Sequence, residues 1–255
     1  MIEHLSASQI NLYLQCSLKY KFQHIDEIPK PFKPSSLAFG SVMHSTLSWF
    51  HKERMYKRDV SLEKLYKIFD TDWFAQKVDT EIRYKEGDNE MKLIIMAKEM
   101  LGLYFHSPIK EILGAEVPFL VPLVNPSTKE NLGIPLVGMI DLVEKDDVIV
   151  EFKTSNQTIS NRDVGDYLQL TAYSYAYEML YQKTPKLLKV VNFVKTKKPK
   201  MNILETKRDK RDYERLFYLA SQVVSGIKNR IFFPRPSFWC KDCEYEEYCK
   251  AWEGN

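Results

Sequence analysis

The stretch that most constrains this chain is Gly138-Met139-Ile140-Asp141-Leu142-Val143-Glu144, a polar turn at Lys145-Asp146-Asp147, and then Val148-Ile149-Val150-Glu151-Phe152-Lys153-Thr154. Apolar β-branched runs around a polar turn predict a β-hairpin, and a buried hairpin should not tolerate Asp141, Glu151 and Lys153 without a compensating partner. Side chains two apart on a strand share a face, so Glu151 and Lys153 emerge together while Phe152 enters the opposite side. A paired strand would bring Asp141 beside them. Two carboxylates held close raise each other's pKa unless a cation sits between them, and hard oxygen ligands suit Mg²⁺ or Mn²⁺. Taken alone, the same pattern also fits a solvated strand face carrying a Glu–Lys pair.

With 255 residues, 44% hydrophobic and 13% aromatic, the chain can fill a real core, and disorder is not expected. No apolar run reaches the length of a membrane span and the N-terminus lacks a signal-peptide pattern, so the expectation is a cytoplasmic protein with no membrane partner. The net charge is only +3, but between Lys183 and Arg211 eleven Lys or Arg face two acids, Glu205 and Asp209, a local excess of nine. A basic stretch of this kind meets phosphates or is simply a solvated surface. The four cysteines lie at Cys16, Cys240, Cys243 and Cys249, one near the start and three near the end. Disulfides are disfavoured in the cytoplasm, so this spacing reads first as a metal or iron–sulfur site.

Ser6-Ala7-Ser8-Gln9 forms a capping-box pattern ahead of Ile10, Tyr13, Leu14 and Leu18, which predicts one helix from Ser6 to about Phe22 with Cys16 in its final turns. A proline-rich connector follows, from Ile28 to Ser36, and a second helix past Gly40, His44, Leu47 and His51. Residues 60–107 carry two further helical periods, broken at Glu86-Gly87-Asp88-Asn89, within a helical insertion at 50–110 where no chemistry is visible. His51 and His106 fit no constellation and read as packing or surface residues. Strands are then predicted at Ala115 to Val124, Ile134 to Glu144 and Val148 to Lys153, a helix from Asp163 to Tyr181, a strand from Leu187 to Val194, another at Ile203 to Thr206, and a long helix from Asp209 to Ile231. A βββαβ core with helices on both sides is mixed α/β.

The ordered set Gly40-x-x-x-His44, Gly138-x-Ile140-Asp141, Glu151-x-Lys153 and Gln169-x-x-x-Tyr173 resembles the RecB-like branch of the PD-(D/E)XK nucleases. Cys16 with Cys240-x-x-Cys243-x5-Cys249 is similar to the iron–sulfur nucleases of that branch, among them the AddB nuclease domain and the CRISPR-associated RecB-like exonucleases. Each motif is weak alone; five in one order over almost the whole chain are specific. One departure is Ser17, where many relatives have proline after the first cysteine.

The resemblance implies a restriction-endonuclease-like α/β core, a mixed central sheet flanked by helices, as one nuclease domain over 1–255. Its terminal helices, 6–22 and 232–252, would join at the four-cysteine cluster site. It further implies Mg²⁺ or Mn²⁺ held by His44, Asp141, Glu151 and the Phe152 carbonyl, with Lys153 orienting water or acting as base and Gln169 and Tyr173 beside it. Glu116, at the head of the first long strand, is a further candidate carboxylate. Cys16, Cys240, Cys243 and Cys249 would hold a [4Fe-4S] cluster, with structural Zn²⁺ as the alternative ligand of four thiolates. The implied activity is a metal-dependent exonuclease on single-stranded DNA or DNA ends. The rival readings are a catalytically silent DNA-binding scaffold and a structure-specific endonuclease. No Gly-x4-Gly-Lys-Ser/Thr loop is present, so unwinding would fall to a helicase or another DNA-processing partner.

Overall fold

A computed structural model describes residues 2–254; Met1 and Asn255 of the expected 1–255 unit lie outside them. The chain opens with β1 (Leu5–Ser6), α1 (Ala7–Gln15) and α2 (Ser17–His24), then β2 (Lys33–Pro34) and α3 (Ser35–Met55). It continues through α4 (Leu62–Asp79), β3 (Ile82–Arg83) and α5 (Glu90–Phe105) into three long strands, β4 (Ile112–Val124), β5 (Asn131–Glu144) and β6 (Val148–Ser155). After them come α6 (Asn161–Gly165), α7 (Leu168–Tyr181), β7 (Leu187–Val194), β8 (Lys200–Thr206) and α8 (Lys210–Lys228). A 3-10 turn (Phe238–Asp242) and α9 (Glu246–Lys250) end the chain.

β1 and β4 to β8 build one mixed six-stranded sheet: β4–β5, β5–β6 and β7–β8 are antiparallel, whereas β1–β5 and β6–β7 are parallel. Alternation along β6 distributes its side chains to two layers. Val148, Val150 and Phe152 pack with Phe39, Phe50, Phe69 and Trp73 of α3 and α4, while Ile149 packs with Leu170 and Ala176 of α7 and Leu216 and Val223 of α8. A third cluster, Leu18, Phe22 and Tyr245, joins α2 to the C-terminal segment. Among the described residues no helix is long and apolar enough to cross a membrane.

The sheet forks at its centre. β6 pairs with β5 only at Leu142–Glu144, then leaves it to follow β7 as far as Ser155. Further along β5 the freed edge is taken by β1, at Leu136 and Val137. Between these pairings lie Gly138 to Asp141, on an edge with no ladder partner among the described residues.

Two expected helices are broken. The apolar period runs through Ser6 to Phe22, but Cys16 is extended (φ −161°, ψ 102°) and separates α1 from α2. At this break the Ser17 hydroxyl accepts from Phe233 N–H at 2.9 Å, and Leu18 N–H bonds Phe233 O at 3.1 Å. The expected helix from Asp163 to Tyr181 likewise divides at Asp166–Tyr167. Buried Arg208 takes the Val164 and Tyr167 carbonyls at 2.8 and 3.3 Å and the Thr171 hydroxyl at 2.8 Å. A period of apolar residues does not register a polar side chain arriving from elsewhere to end a helix.

Candidate active site

The fork places Asp141 opposite the point where β6 departs. Its Oδ2 accepts the Phe152 backbone N–H at 2.9 Å, supplying the bond that a ladder partner would otherwise make. Its other oxygen, Oδ1, accepts from the Tyr173 hydroxyl at 3.3 Å, and that hydroxyl accepts from Gln169 Nε2 at 2.8 Å. Gln169 Oε1 in turn accepts from Lys153 Nζ at 2.7 Å. Gln169 and Tyr173 stand one turn apart on α7, so both reach the fork from the same layer. From the opposite layer His44 of α3 brings Nδ1 to 3.3 Å from Asp141 Oδ2.

Glu151 is wholly buried at 0% exposure, and Lys153 Nζ lies 2.5 Å from its Oε1. Despite that close ion pair, neither Glu151 oxygen sits in hydrogen-bond geometry with any group among the described residues. Burial and then the charge of Glu151 push the Asp141 carboxyl well above the usual carboxylate range. Burial alone would lower the Lys153 pKa; the Glu151 charge and contact outweigh it, and the net direction is up. Burial holds the His44 ring below its ordinary value, so the imidazole is neutral with a free lone pair at ordinary pH. A wholly buried acid and a half-buried one therefore share one lysine, a deficit of positive charge that a divalent cation would fill. The donors, two carboxylates and a neutral imidazole, suit Mn²⁺ or Mg²⁺. Among the described residues no three His, Cys, Asp or Glu side chains are closed around one point as metal ligands.

Gly138 has a packing reason. A Cβ there would stand 2.4 Å from the Phe119 ring, and Phe119 meets Tyr173 edge-on at 6.2 Å. Phe152 turns its side chain away from the site, stacked on His51 at 5.2 Å. His51 is buried and bonded through Nε2 to the Tyr104 hydroxyl at 2.8 Å, whereas His106 is exposed. Glu116 lies between the pairs Ala115–Leu142 and Val117–Ile140, hence opposite Asp141, with a left-handed backbone (φ 51°). Burial raises its pKa, but hydrogen bonds from Lys52 (2.5 Å) and Ser48 outweigh this and hold it below the usual value. Lys52 and Ser48 escaped the sequence reading, yet Gly40, His44, Ser48 and Lys52 recur every four residues on α3, the spacing of one helix face.

The basic stretch is partly consumed by structure. Arg208 is buried, Lys183 pairs with Asp147, and Lys189 pairs with Glu144 at 3.1 Å. The four cysteines line one cavity of about 240 Å³ with Leu18 and Phe22. There burial, and after it Cys16, Cys243 and Cys240, push the Cys249 thiol up.

The site is thus a forked mixed sheet with an acid–x–lysine pair on one prong and an acid on the other. The chain belongs to the PD-(D/E)XK nuclease superfamily, whose family model matches residues 4–250. The crystal structure of a candidate exonuclease from Eubacterium rectale has the same fold at 12% identity, with a TM-score of 0.59 over 98% of this chain and 88% of that one. The crystal structure of SSO0001, 15% identical over 96% of this chain and 93% of that one, reaches a TM-score of 0.42, too low to argue from. No curated protein matches the sequence.

Proposed function

We propose that this chain is a divalent-metal-dependent deoxyribonuclease of the RecB-like branch, acting as an exonuclease on single strands or free DNA ends. The observation that carries the reading is Glu151, fully buried beside Asp141 at the mouth of the fork, ion-paired to Lys153 and with neither oxygen in hydrogen-bond geometry among the described residues. His44, Asp141, Glu151 and the Phe152 carbonyl would hold the cation. Such a cation supplies Lewis acidity, lowering the pKa of water and taking up charge on the phosphate. Lys153, an ammonium, offers its protons to the developing negative charge and orients the attacking water. Gln169 fixes the Lys153 side chain, and Tyr173 fixes Asp141, so the network holds both prongs in register.

Cys16, Cys240, Cys243 and Cys249 are, in this reading, the ligands of a [4Fe-4S] cluster tying α2 to the C-terminal segment. The support is their convergence on one cavity. Anaerobically purified protein from iron-supplied cells should be brown, with about four irons per chain; colourless protein carrying zinc would replace the cluster with a structural Zn²⁺ site.

Matched DNA and RNA strands with free or blocked ends, incubated with Mn²⁺ or Mg²⁺, test the activity. The expected result is loss of nucleotides from free DNA ends. Cutting of circular or end-blocked strands would make the chain an endonuclease, and no cutting of any strand would leave a DNA-binding scaffold.

A further inference from the structure

The most exposed large apolar side chain among the described residues is Phe238, at 76%, and its neighbour Trp239 is 57% exposed. Neither fills a core: the 3-10 turn that carries them has no buried residue. Their rings nevertheless lie against each other, with centroids 4.4 Å apart and planes 35° apart. The turn beneath them is fixed. Ser237 caps it through Trp239 N–H, Arg235 bonds the Leu14 carbonyl at 2.8 Å, and Asp242 pairs with Lys85 at 2.8 Å. Two apolar rings are thus held in water on a rigid base, where burial would have been the favourable choice.

Cations stand on this turn and across its contacts, with Asp242 between them. Lys241 lies two residues past Trp239, after Cys240, and enters no ion pair among the described residues. Lys85, across the Asp242 contact, is near enough to Lys195 to add to the burial that lowers the Lys195 pKa. Lys195 N–H bonds Ser155 O at 2.7 Å, two residues beyond Lys153 on the same strand. Lys197 and Lys198 follow in the same turn between β7 and β8 and make no ion pair among the described residues. Lysines therefore stand on the segments between the aromatic pair and the open end of β6, Lys85 paired with Asp242 and Lys195 Nζ set over the Phe39 ring at 5.3 Å.

We propose that Phe238 and Trp239 are a stacking platform for the bases of single-stranded DNA, whose phosphates follow Lys241, Lys85 and Lys195 to the fork. Exposed rings offer π-faces that any base can cover, and lysines along the path supply the charge that a polyanion requires. A duplex hides its base faces, so the platform discriminates for single strands. This inference rests on the nuclease reading and adds to it a strand path and a preference.

Fluorescence anisotropy with labelled oligo-dT, and with the same strand annealed to its complement, tests the platform; divalent metal is left out so that nothing is cut. Phe238→Ala and Trp239→Ala should each weaken oligo-dT binding roughly ten-fold. Their salt dependence should stay that of the wild type, because the phosphate contacts remain, and duplex affinity should not move. Trp239→Phe should restore single-strand affinity while abolishing the quenching of tryptophan emission by oligo-dT. Alanine variants that bind oligo-dT as tightly as the wild type, or that lose single strand and duplex alike, overturn the platform. If the wild type cuts DNA while these variants bind normally, only the platform falls; a wild type that neither binds nor cuts DNA overturns the nuclease reading as well.

Discussion

Asp141 Oδ2 accepts the backbone N–H of Phe152 at 2.9 Å, so the side chain of one prong completes the backbone of the other. The carboxylate is structural through this bond and, in the proposed function, a metal ligand as well, and the two roles separate by substitution. Asp141→Asn keeps an acceptor for the Phe152 N–H and should fold normally, but should lose most Mn²⁺ affinity by calorimetry. Asp141→Ala also strands a part-buried donor, and urea unfolding should place it about 1–3 kcal/mol below the asparagine variant. Equal stability of the two would mean that the bond does not hold the fork.

His51 makes stability depend on pH. Burial lowers its pKa to about 3, against an ordinary value of 6.5 in the unfolded chain. The folded state therefore holds the neutral ring, and its contribution is fully present above pH 6.5. As pH falls from there toward 3 the unfolded chain takes up the proton first, costing on the order of 1.4 kcal/mol per pH unit. His51→Gln keeps a polar partner for Tyr104 without a titrating ring. The stability difference between wild type and variant should shift against the wild type by about 2 kcal/mol between about pH 7 and about pH 5. A difference independent of pH would place the ring in water.

Ser17 stands where many of the iron–sulfur nucleases that the cysteine spacing resembles carry proline after the first cysteine. Proline suits a first helical position but has no hydroxyl, and here the hydroxyl accepts from Phe233 N–H at 2.9 Å and donates to its carbonyl at 3.3 Å. Ser17→Ala should cost about 1 kcal/mol and speed hydrogen exchange in residues 17–24 and 231–236, leaving β5 and β6 protected. Uniform exchange would show that this contact does not staple the two ends of the chain.

The sheet was legible because β-branched runs and turns mark long strands, and α3, α4, α5 and α8 because their apolar periods are long. β1, β2 and β3, two residues each, carry no period and escaped. So did the breaks at Cys16 and Asp166, which polar contacts from Ser17 and Arg208 impose. At the site, spacing put Glu151 and Lys153 on one face and Gln169 and Tyr173 on one turn, and the structure brings all four to Asp141 and His44. Spacing carried no trace of the fork itself, because an edge left unpaired between two partner strands is a property of the sheet. Nor did it reveal Lys52 against Glu116, a contact between a helix and a strand more than sixty residues apart.

The central claim is that the charges at this fork cut DNA, and Lys153→Ala tests it with the fewest confounders. Lys153 makes a side-chain hydrogen bond to Gln169 and an ion pair with Glu151, and its backbone place in the ladder survives the substitution, so the variant should keep the wild-type fold and Mn²⁺ affinity. Single-turnover cleavage of an end-labelled DNA strand in saturating Mn²⁺ should fall roughly a hundred-fold or more. Cleavage at the wild-type rate by folded, metal-binding Lys153→Ala protein would contradict the account.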